Sequence, residues 1–472
     1  MSGASDQRLS LRRIIVFSLS NLPIAAMGVV PFVYLPPYLS GHLGLSLALI
    51  GGVWFTVRAV DLFIDPVLAY FMDRTVTRLG RYRVWMAAGV PLFMLATYKL
   101  FLAPPGIGGT YLFFWLFAFY FANSVLYLAL WAWSATLATQ YDERSRVFGV
   151  GAAVGVVAVV ASLLIPVFAP LAGMSSVEGV QAMGWAIVVM TPVGVGLAVW
   201  RTPERINKSA AEHFAARDYW EIVSKPEVIR LFFSQVALTL GPGWMSAMYL
   251  FYFHDVKGFS QQQATILLLV YILIGIVGAP LTARLSARIG KHRTLIATTA
   301  AFSLALLTVP LVPYGSVLGG VPVMAWCGFM AAGFGLTINA MMADVGDEIR
   351  LSQGRERMGL LYSVLSIAGK LTAAFAIGLS LPLLEYFGYV AREGAHNTPS
   401  SILALQWLFI TGPILFVMLG GVCVWGWRLD AAKHADIRAQ LDARDAALLA
   451  EAAQASAAPP PLVLVAETEQ AN

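Results

Sequence analysis

Charge is scarce in this sequence. Asp, Glu, Lys and Arg make up only 12% of its 472 residues, against 58% apolar residues, where a soluble globular chain carries roughly 25% charged residues. So little charge leaves no surface to offer water, which excludes a soluble multidomain protein and places the chain in a lipid bilayer. Cysteine is nearly absent too. Cys327 and Cys423 both sit in apolar runs, which argues against a disulfide framework or a metal site and for two small core residues. The excess of base is slight, a formal net charge of +5, and no Lys/Arg stripe with interleaved aromatics suggests nucleic acid as a partner. An ATP-driven pump is disfavoured, because "GKHRT" (290–294) lacks the Gly-Lys-Ser/Thr ending of a phosphate-binding loop. No nucleophile–base arrangement occurs in a plausible context. The chain reads as no enzyme, with no cofactor.

What is present is apolar sequence in long runs. A helix needs about 20 mostly apolar residues to cross the hydrocarbon layer. Twelve segments qualify, near 13–38, 45–71, 83–104, 110–139, 147–171, 181–200, 229–254, 262–287, 294–313, 318–343, 358–387 and 402–428. Arg8, Arg12 and Arg13 precede the first, but its apolar run continues to about Leu39 without a small-residue cleavage site. It reads as a retained membrane helix and not as a signal peptide.

Basic residues alternate between loops. Arg74, Arg78, Arg81 and Arg83 share one side with Arg144 and Arg146, with Arg284, Arg288, Lys291 and Arg293, and with Arg350, Arg355 and Arg357; "SGHLGLS" and "VPYGSVLGGV" on the other side hold no Lys or Arg. The positive-inside rule then puts both termini in the cytoplasm. The polar stretch 201–228 divides the chain into halves at 1–200 and 229–428, and "LGRYR" (79–83) after the second segment has a counterpart in "IGKHR" (289–293) after the eighth. This is the layout of parallel six-helix repeats. The expectation is an all-α integral membrane bundle of two six-helix halves. A charged, Ala-rich tail, 429–472, follows on the cytoplasmic side, partly helical and disordered after Pro459.

Ionisable residues within the spans are few: Arg58, Asp61 and Asp65 in the second segment and Lys370 in the eleventh. A charge at mid-bilayer costs about 2.5–3.5 kcal/mol even on the lenient insertion scale, so these must face one another, water or a ligand. The spacing i, i+3, i+7 keeps the three groups of the second segment within roughly 60° on a helix. Pro66 removes the hydrogen bond to the carbonyl of Leu62, which predicts a kink and a free oxygen beside the carboxylates. Oxygen-rich surroundings suit a cation or a shared proton. The plainer reading is an internal Arg58–Asp61 salt bridge with Asp65 at a structural kink. Lys370, with no acidic neighbour on its own segment, favours a ligand or coupling role. Asp73, Arg74, Gly80, Arg81, Arg83, Asp344 and Asp347 read as clamps on helix ends and a gate at the inner mouth. Asn123, Tyr127, Trp131, Tyr249 and Tyr362 are candidates for lining a cavity, although Trp and Tyr also gather at membrane interfaces.

The stretch "RAVDLFIDPVLAYFMDRTVTRLGRYR" (58–83) resembles the second helix and following loop of the glycoside–pentoside–hexuronide:cation symporters. These form the melibiose-permease-like branch of the major facilitator superfamily. "MADVGDEIRLSQGRERMGLLYSVLSIAGK" (342–370) resembles that family's passage from helix ten to helix eleven. The resemblance implies the major facilitator fold, with Asp61 and Asp65 as cation-site carboxylates and Lys370 linking cation and substrate sites. It also implies that Trp133, in "LALWAWSATLA" (128–138), is the sugar-stacking tryptophan. Some family positions depart: Ala129 stands where sugar carriers have an acid, Ile64 where a polar residue precedes the second carboxylate, and Val154 near an expected arginine; the first segment has no carboxylate.

The expected function is cation-coupled symport of a glycoside or related polar solute by alternating access in a bacterial inner membrane. Protons are favoured over sodium, because a sodium site wants about six oxygen ligands and a proton only one raised carboxyl. The expected carrier is a monomer whose partners are its solute and membrane lipid. A lysolipid or other amphipathic solute is the alternative. A non-transporting receptor or assembly factor would have little reason to keep Asp61, Asp65 and Lys370.

Overall fold

The computed structural model describes residues 9–137, 141–204, 216–354 and 357–457. Residues 205–215 of the polar connector, the tail beyond 457, and Arg8 and Arg355 of the loop-charge pattern lie outside the described residues. In chain order the helices are α1 (Leu11–Ser18), α2 (Asn21–Ala26), α3 (Val30–Pro37), α4 (Leu47–Arg74), α5 (Tyr82–Phe101), α6 (Gly109–Leu137), α7 (Tyr141–Phe168) and α8 (Ser176–Arg201). They continue with α9 (Ala216–Val223), α10 (Pro226–Phe251), α11 (Gln261–Ile289), α12 (Lys291–Leu307), α13 (Val317–Gln353), α14 (Met358–Tyr386), α15 (Pro399–Cys423) and α16 (Ala431–Ala457). Among the described residues ten helices are long and apolar enough to cross a membrane. The more polar α10 and the α1–α3 series complete the two six-helix halves.

The helices begin where hydroxyls replace charge. Ser46, Ser175, Ser260, Ser316 and Thr398 each accept a hydrogen bond from a first-turn backbone N–H of α4, α8, α11, α13 and α15. Ser175–Glu178 and Ser260–Gln263 form reciprocal capping boxes. All five caps lie at the end of the bundle whose loops "SGHLGLS" and "VPYGSVLGGV" lack basic residues, called here the bare end; the opposite end carries the arginine-rich loops.

Two boundaries differ from the sequence expectation. The first segment is not one helix but three short ones, interrupted around Ser20 and Met27–Val29 and followed by a wide turn at Tyr38–His42. Gly28, Pro23, Pro31, Pro36 and Pro37 withhold helix propensity or backbone donors there. In the other direction α13 runs on to Gln353, past the expected end near 343. At about 1.5 Å per residue its 37 residues exceed a hydrocarbon layer about 30 Å thick. Its last turns, with Asp344, Asp347, Glu348 and Arg350, therefore leave the membrane. Pro66, by contrast, sits within an unbroken α4.

Each half packs chiefly within itself, and the halves meet along α4 against α14, α3 against α10 and α7 against α11. Polar contacts cross this seam at the bare end. Tyr34 Oη donates to Thr265 Oγ1 at 2.8 Å, Gln262 Nε2 to the Val167 carbonyl at 2.8 Å, and the Ala48 N–H to Glu385 Oε2 at 2.5 Å. The Glu393 N–H reaches the Gly41 carbonyl at 3.3 Å. The bare end is thus closed by hydrogen bonds and packing between the halves.

Candidate functional site

Near the middle of the seam, α4 and α14 bring four charges together. Arg58 Nη1 donates to Asp61 Oδ2 at 2.8 Å, and Lys370 Nζ lies 3.0 Å from the same oxygen and 2.5 Å from Asp65 Oδ2. Ser124 Oγ of α6 donates to Asp61 Oδ1 at 2.9 Å, and Lys370 also approaches the Asp61 carbonyl at 3.4 Å. Asp61 is 1% exposed. The guanidinium of Arg58 lies over the Tyr120 ring, 4.4 Å from its centre, a favourable cation–π placement in a desolvated setting. The Arg58–Asp61 salt bridge of the plainer reading is therefore present, and Lys370 from the other half joins it.

The four charges cancel, but not every polar atom is satisfied. Asp65 Oδ1 and Asn123 Oδ1 are buried without hydrogen-bond partners. Free carboxylate and amide oxygens are acceptor capacity that a proton or a small hard cation would use. Tyr127 lies within electrostatic reach of Asp65. Removing one partner from a buried ion pair costs about 3–5 kcal/mol, so protonating a carboxylate here changes what Lys370 can hold. The cluster is an ion-pair network that bridges the two halves.

Beside it lies a cavity of about 600 Å³, within the range of about 300–1,000 Å³ typical of small-molecule sites. Gly369, Thr372 and Ala373 of α14 line it, one turn around Lys370, together with Phe32 of α3, Thr239 and Ser246 of α10, and Tyr271 of α11. Much of the remaining wall is Gly and Ala. Close helix approach explains this: a Cβ on Gly328 would lie 2.0 Å from the Tyr271 carbonyl oxygen.

The aromatic candidates separate. Tyr127 and Trp131 on α6 and Tyr362 on α14 are 40%, 48% and 39% exposed, and Trp131 stacks on Phe148 with ring centres 5.1 Å apart. Trp133 and Tyr249 are inside the bundle. Trp133 is fully buried, edge-on to Phe17 with centres 5.1 Å apart. Tyr249 is fully buried and donates from its hydroxyl to the Ala264 carbonyl at 2.9 Å. The Trp133 indole nitrogen is buried without a hydrogen-bond partner, and the Tyr249 ring lies 4.7 Å from that of Phe253.

The loop residues sort by half. After α4, Tyr82 Oη donates to Asp73 at 3.4 Å, and the Arg74 guanidinium lies 4.0 Å from the centre of the Tyr70 ring. Gly80 adopts φ +116°, and the backbone N–H groups of Arg81, Tyr82 and Arg83 converge on the Glu204 carboxylate at 2.8, 2.9 and 3.2 Å. The Arg83 side chain donates to the Val199 carbonyl. Glu204→Ala would strand these three donors at the start of α5. Buried donors left unmade cost about 1–3 kcal/mol each, and partial access to water softens this, so a lowered Tm of the purified chain is expected. An unchanged Tm would mean that water replaces the carboxylate fully.

On the other half, Asp344 is held by Lys291 at 2.6 Å and by His434 at 3.2 Å, and Asp347 by His434 at 3.0 Å and Arg438 at 3.5 Å. His434 and Arg438 belong to α16, so the tail helix docks on the extension of α13, with Ile437 and Leu441 buried in the contact. Sequence reasoning missed Tyr120, Glu204 and this docking, and it picked out Ser124 with Asn123 and Tyr127 as polar positions but not as a partner of Asp61. The only sequence signals were a serine next to Asn123 in the fourth segment, an acid just past the sixth, and apolar residues at helical spacing in the tail.

Comparison with known proteins adds the following. The profile of a family described as MFS/sugar transport protein matches residues 16–431. The chain is 24% identical over 457 residues to the glucuronide carrier protein homolog of Escherichia coli K12, covering 93% of this chain and 97% of that one. It is 23% identical over 429 residues to the uncharacterized symporter YnaJ of Bacillus subtilis strain 168, covering 87% and 90%. Among solved structures, that of the nucleoside transporter NupG superposes with a TM-score of 0.66 at 12% identity, covering 88% of this chain and 99% of that one. That last likeness carries the fold alone.

Proposed function

The chain belongs to the MFS/sugar transport protein family, and on that premise we propose that it is a proton-coupled symporter of a glycoside. It is a multi-pass membrane transporter of the major facilitator fold and not an enzyme, and its resemblance to the glycoside–pentoside–hexuronide symporters holds at the level of the family. The observation that carries the finer reading is Lys370 of one half held between Asp61 and Asp65 of the other. Protonation of a carboxylate loosens this bridge, and the solute in the adjoining cavity meets a lysine with fewer partners. A ligand shifts two states only by its difference in affinity for them, and the bridge is where such a difference arises. The basic loops support a cytoplasmic position for the arginine-rich end. The closed bare end then faces outward, in an inner membrane, and the carrier works as a monomer.

A second reading rests on the cavity wall. Apart from Thr239, Ser246, Tyr271 and Thr372, its lining side chains carry no polar atoms, which favours an amphipathic solute such as a lysolipid. The Tm of the purified chain, measured against glycosides, uronides and lysolipids at several pH values with and without sodium, separates the two. A ligand at 100 times its Kd adds about 2.7 kcal/mol, a clear shift. A sugar response that depends on pH and not on sodium supports proton-coupled glycoside symport. A response to lysolipid with every sugar silent replaces it with the second reading.

A further inference from the structure

The bare end holds a second cavity, of about 640 Å³, whose chemistry is unlike that of the central one. Its walls come from both halves. Tyr38 and His42 follow α3, Gln261 opens α11, Asp255 lies in the turn after α10, and Arg392 and Glu393 lie in the α14–α15 loop. The Tyr38 and His42 rings stack, with centres 5.7 Å apart and planes at 28°. Here aromatic faces, carboxylates, an amide, imidazole and guanidinium surround one space, where the central cavity offers Gly, Ala and apolar side chains with few polar atoms.

Two atoms of this wall lack partners. Tyr38 is 4% exposed and its hydroxyl makes no hydrogen bond; the Gln181 side chain is near without closing one. The amide nitrogen of Gln261 is likewise buried and unpaired. Buried donors in this condition cost about 1–3 kcal/mol each, and a packing gap without a function would be better filled by Phe and Leu. The guanidinium of Arg392 has no ion-pair partner among the described residues. Asp255, by contrast, is engaged: it accepts from Tyr389 and pairs with His254 at 2.5 Å.

We propose that this pocket is a separate binding site for a pyranoside. The ring would pack against the exposed side of the Tyr38–His42 stack, and its hydroxyls would meet Tyr38, Gln261 and Glu393. A carboxylate substituent would reach Arg392. This goes beyond the transport reading, which concerns the central seam. Because the walls belong to both halves, the complete site exists only while the bare end is closed, and its ligand favours that state.

The test titrates methyl β-D-glucopyranoside and methyl β-D-glucopyranosiduronate into the purified full chain. It compares wild type with Tyr38→Phe and Gln261→Leu. Both probes are expected to bind, the uronide more tightly. Tyr38→Phe and Gln261→Leu should each weaken binding at least tenfold. Tyr38→Phe removes a single unpaired oxygen, so the fold is retained. Absence of binding overturns the proposal, as does affinity unchanged in both wall variants. Uptake into proteoliposomes reports on the central site independently, so a failure of coupled transport leaves this result standing.

Discussion

Asp61→Asn is expected to abolish accumulation of solute against a gradient while leaving exchange down a gradient in place. Asp61 is 1% exposed and receives Arg58, Lys370 and Ser124 together. Asparagine keeps the shape and one acceptor oxygen but removes the charge, so the cluster is fixed in the electrostatic condition that a bound proton would otherwise create. A carrier held there has no proton to release and nothing with which to couple. Arg58 loses its carboxylate but keeps the Tyr120 ring, and Lys370 keeps Asp65. The variant should therefore fold with a lower Tm, since truncating a buried ion pair costs about 3–5 kcal/mol. The measurement is uptake into proteoliposomes under an imposed pH gradient, beside counterflow without one. The accumulation ratio should fall to about 1, set by a ligand shift that requires differential affinity. Accumulation at the wild-type level would remove Asp61 from the coupling mechanism.

The largest effect on stability is expected from Gly328→Ala. A Cβ at this position would lie 2.0 Å from the carbonyl oxygen of Tyr271, 2.7 Å from its carbonyl carbon and 2.8 Å from its Cα. All three atoms are helix backbone, so no side chain can swing aside. Only separation of α11 from α13 relieves the clash, and these two helices also approach at Gly278 and Gly333. Small residues permit such close crossings, where packing and not hydrophobic transfer drives association in lipid. Overpacking a core costs about 1–3 kcal/mol and occasionally more, and a clash with unyielding backbone belongs at or above the upper end. Gly335→Ala on the same helix is the control, because nothing lies within 4 Å of its added Cβ. The expected result is a steep loss of folded yield and Tm for Gly328→Ala and little change for the control. Equal behaviour of the two would show that α11 and α13 can part without penalty.

Much of the architecture was legible because lipid imposes a simple rule. Every backbone polar group must be satisfied within the segment, so long apolar runs become helices. The charge cluster was legible for a related reason: Arg58, Asp61, Asp65 and Lys370 are too costly in the bilayer to stand alone, and the structure brings them together. What one sequence could not give was rotation. Trp133 and Trp131 are two positions apart on α6, yet one is fully buried against Phe17 and the other half exposed. In a segment that is apolar all round, no polar stripe marks which face turns inward. The same limit hid Ser124 as a partner of Asp61. Glu204 was obscure because its partners are backbone N–H groups about 120 residues earlier. The docking of the tail depends on α13 continuing past the membrane, which hydropathy does not report.

The balance of Arg58 and Lys370 against Asp61 and Asp65 bears on how the membrane potential does work. A carrier whose central charges sum to zero can return empty without moving net charge through the field, so that step is insensitive to voltage. Loaded with a proton and a neutral solute, the same cluster carries one elementary charge, which a potential of 100 mV drives with about 2.3 kcal/mol. Loaded with a proton and an anionic solute, it carries none. The electrical signature of transport would thus report the charge of the cargo before the cargo itself is known.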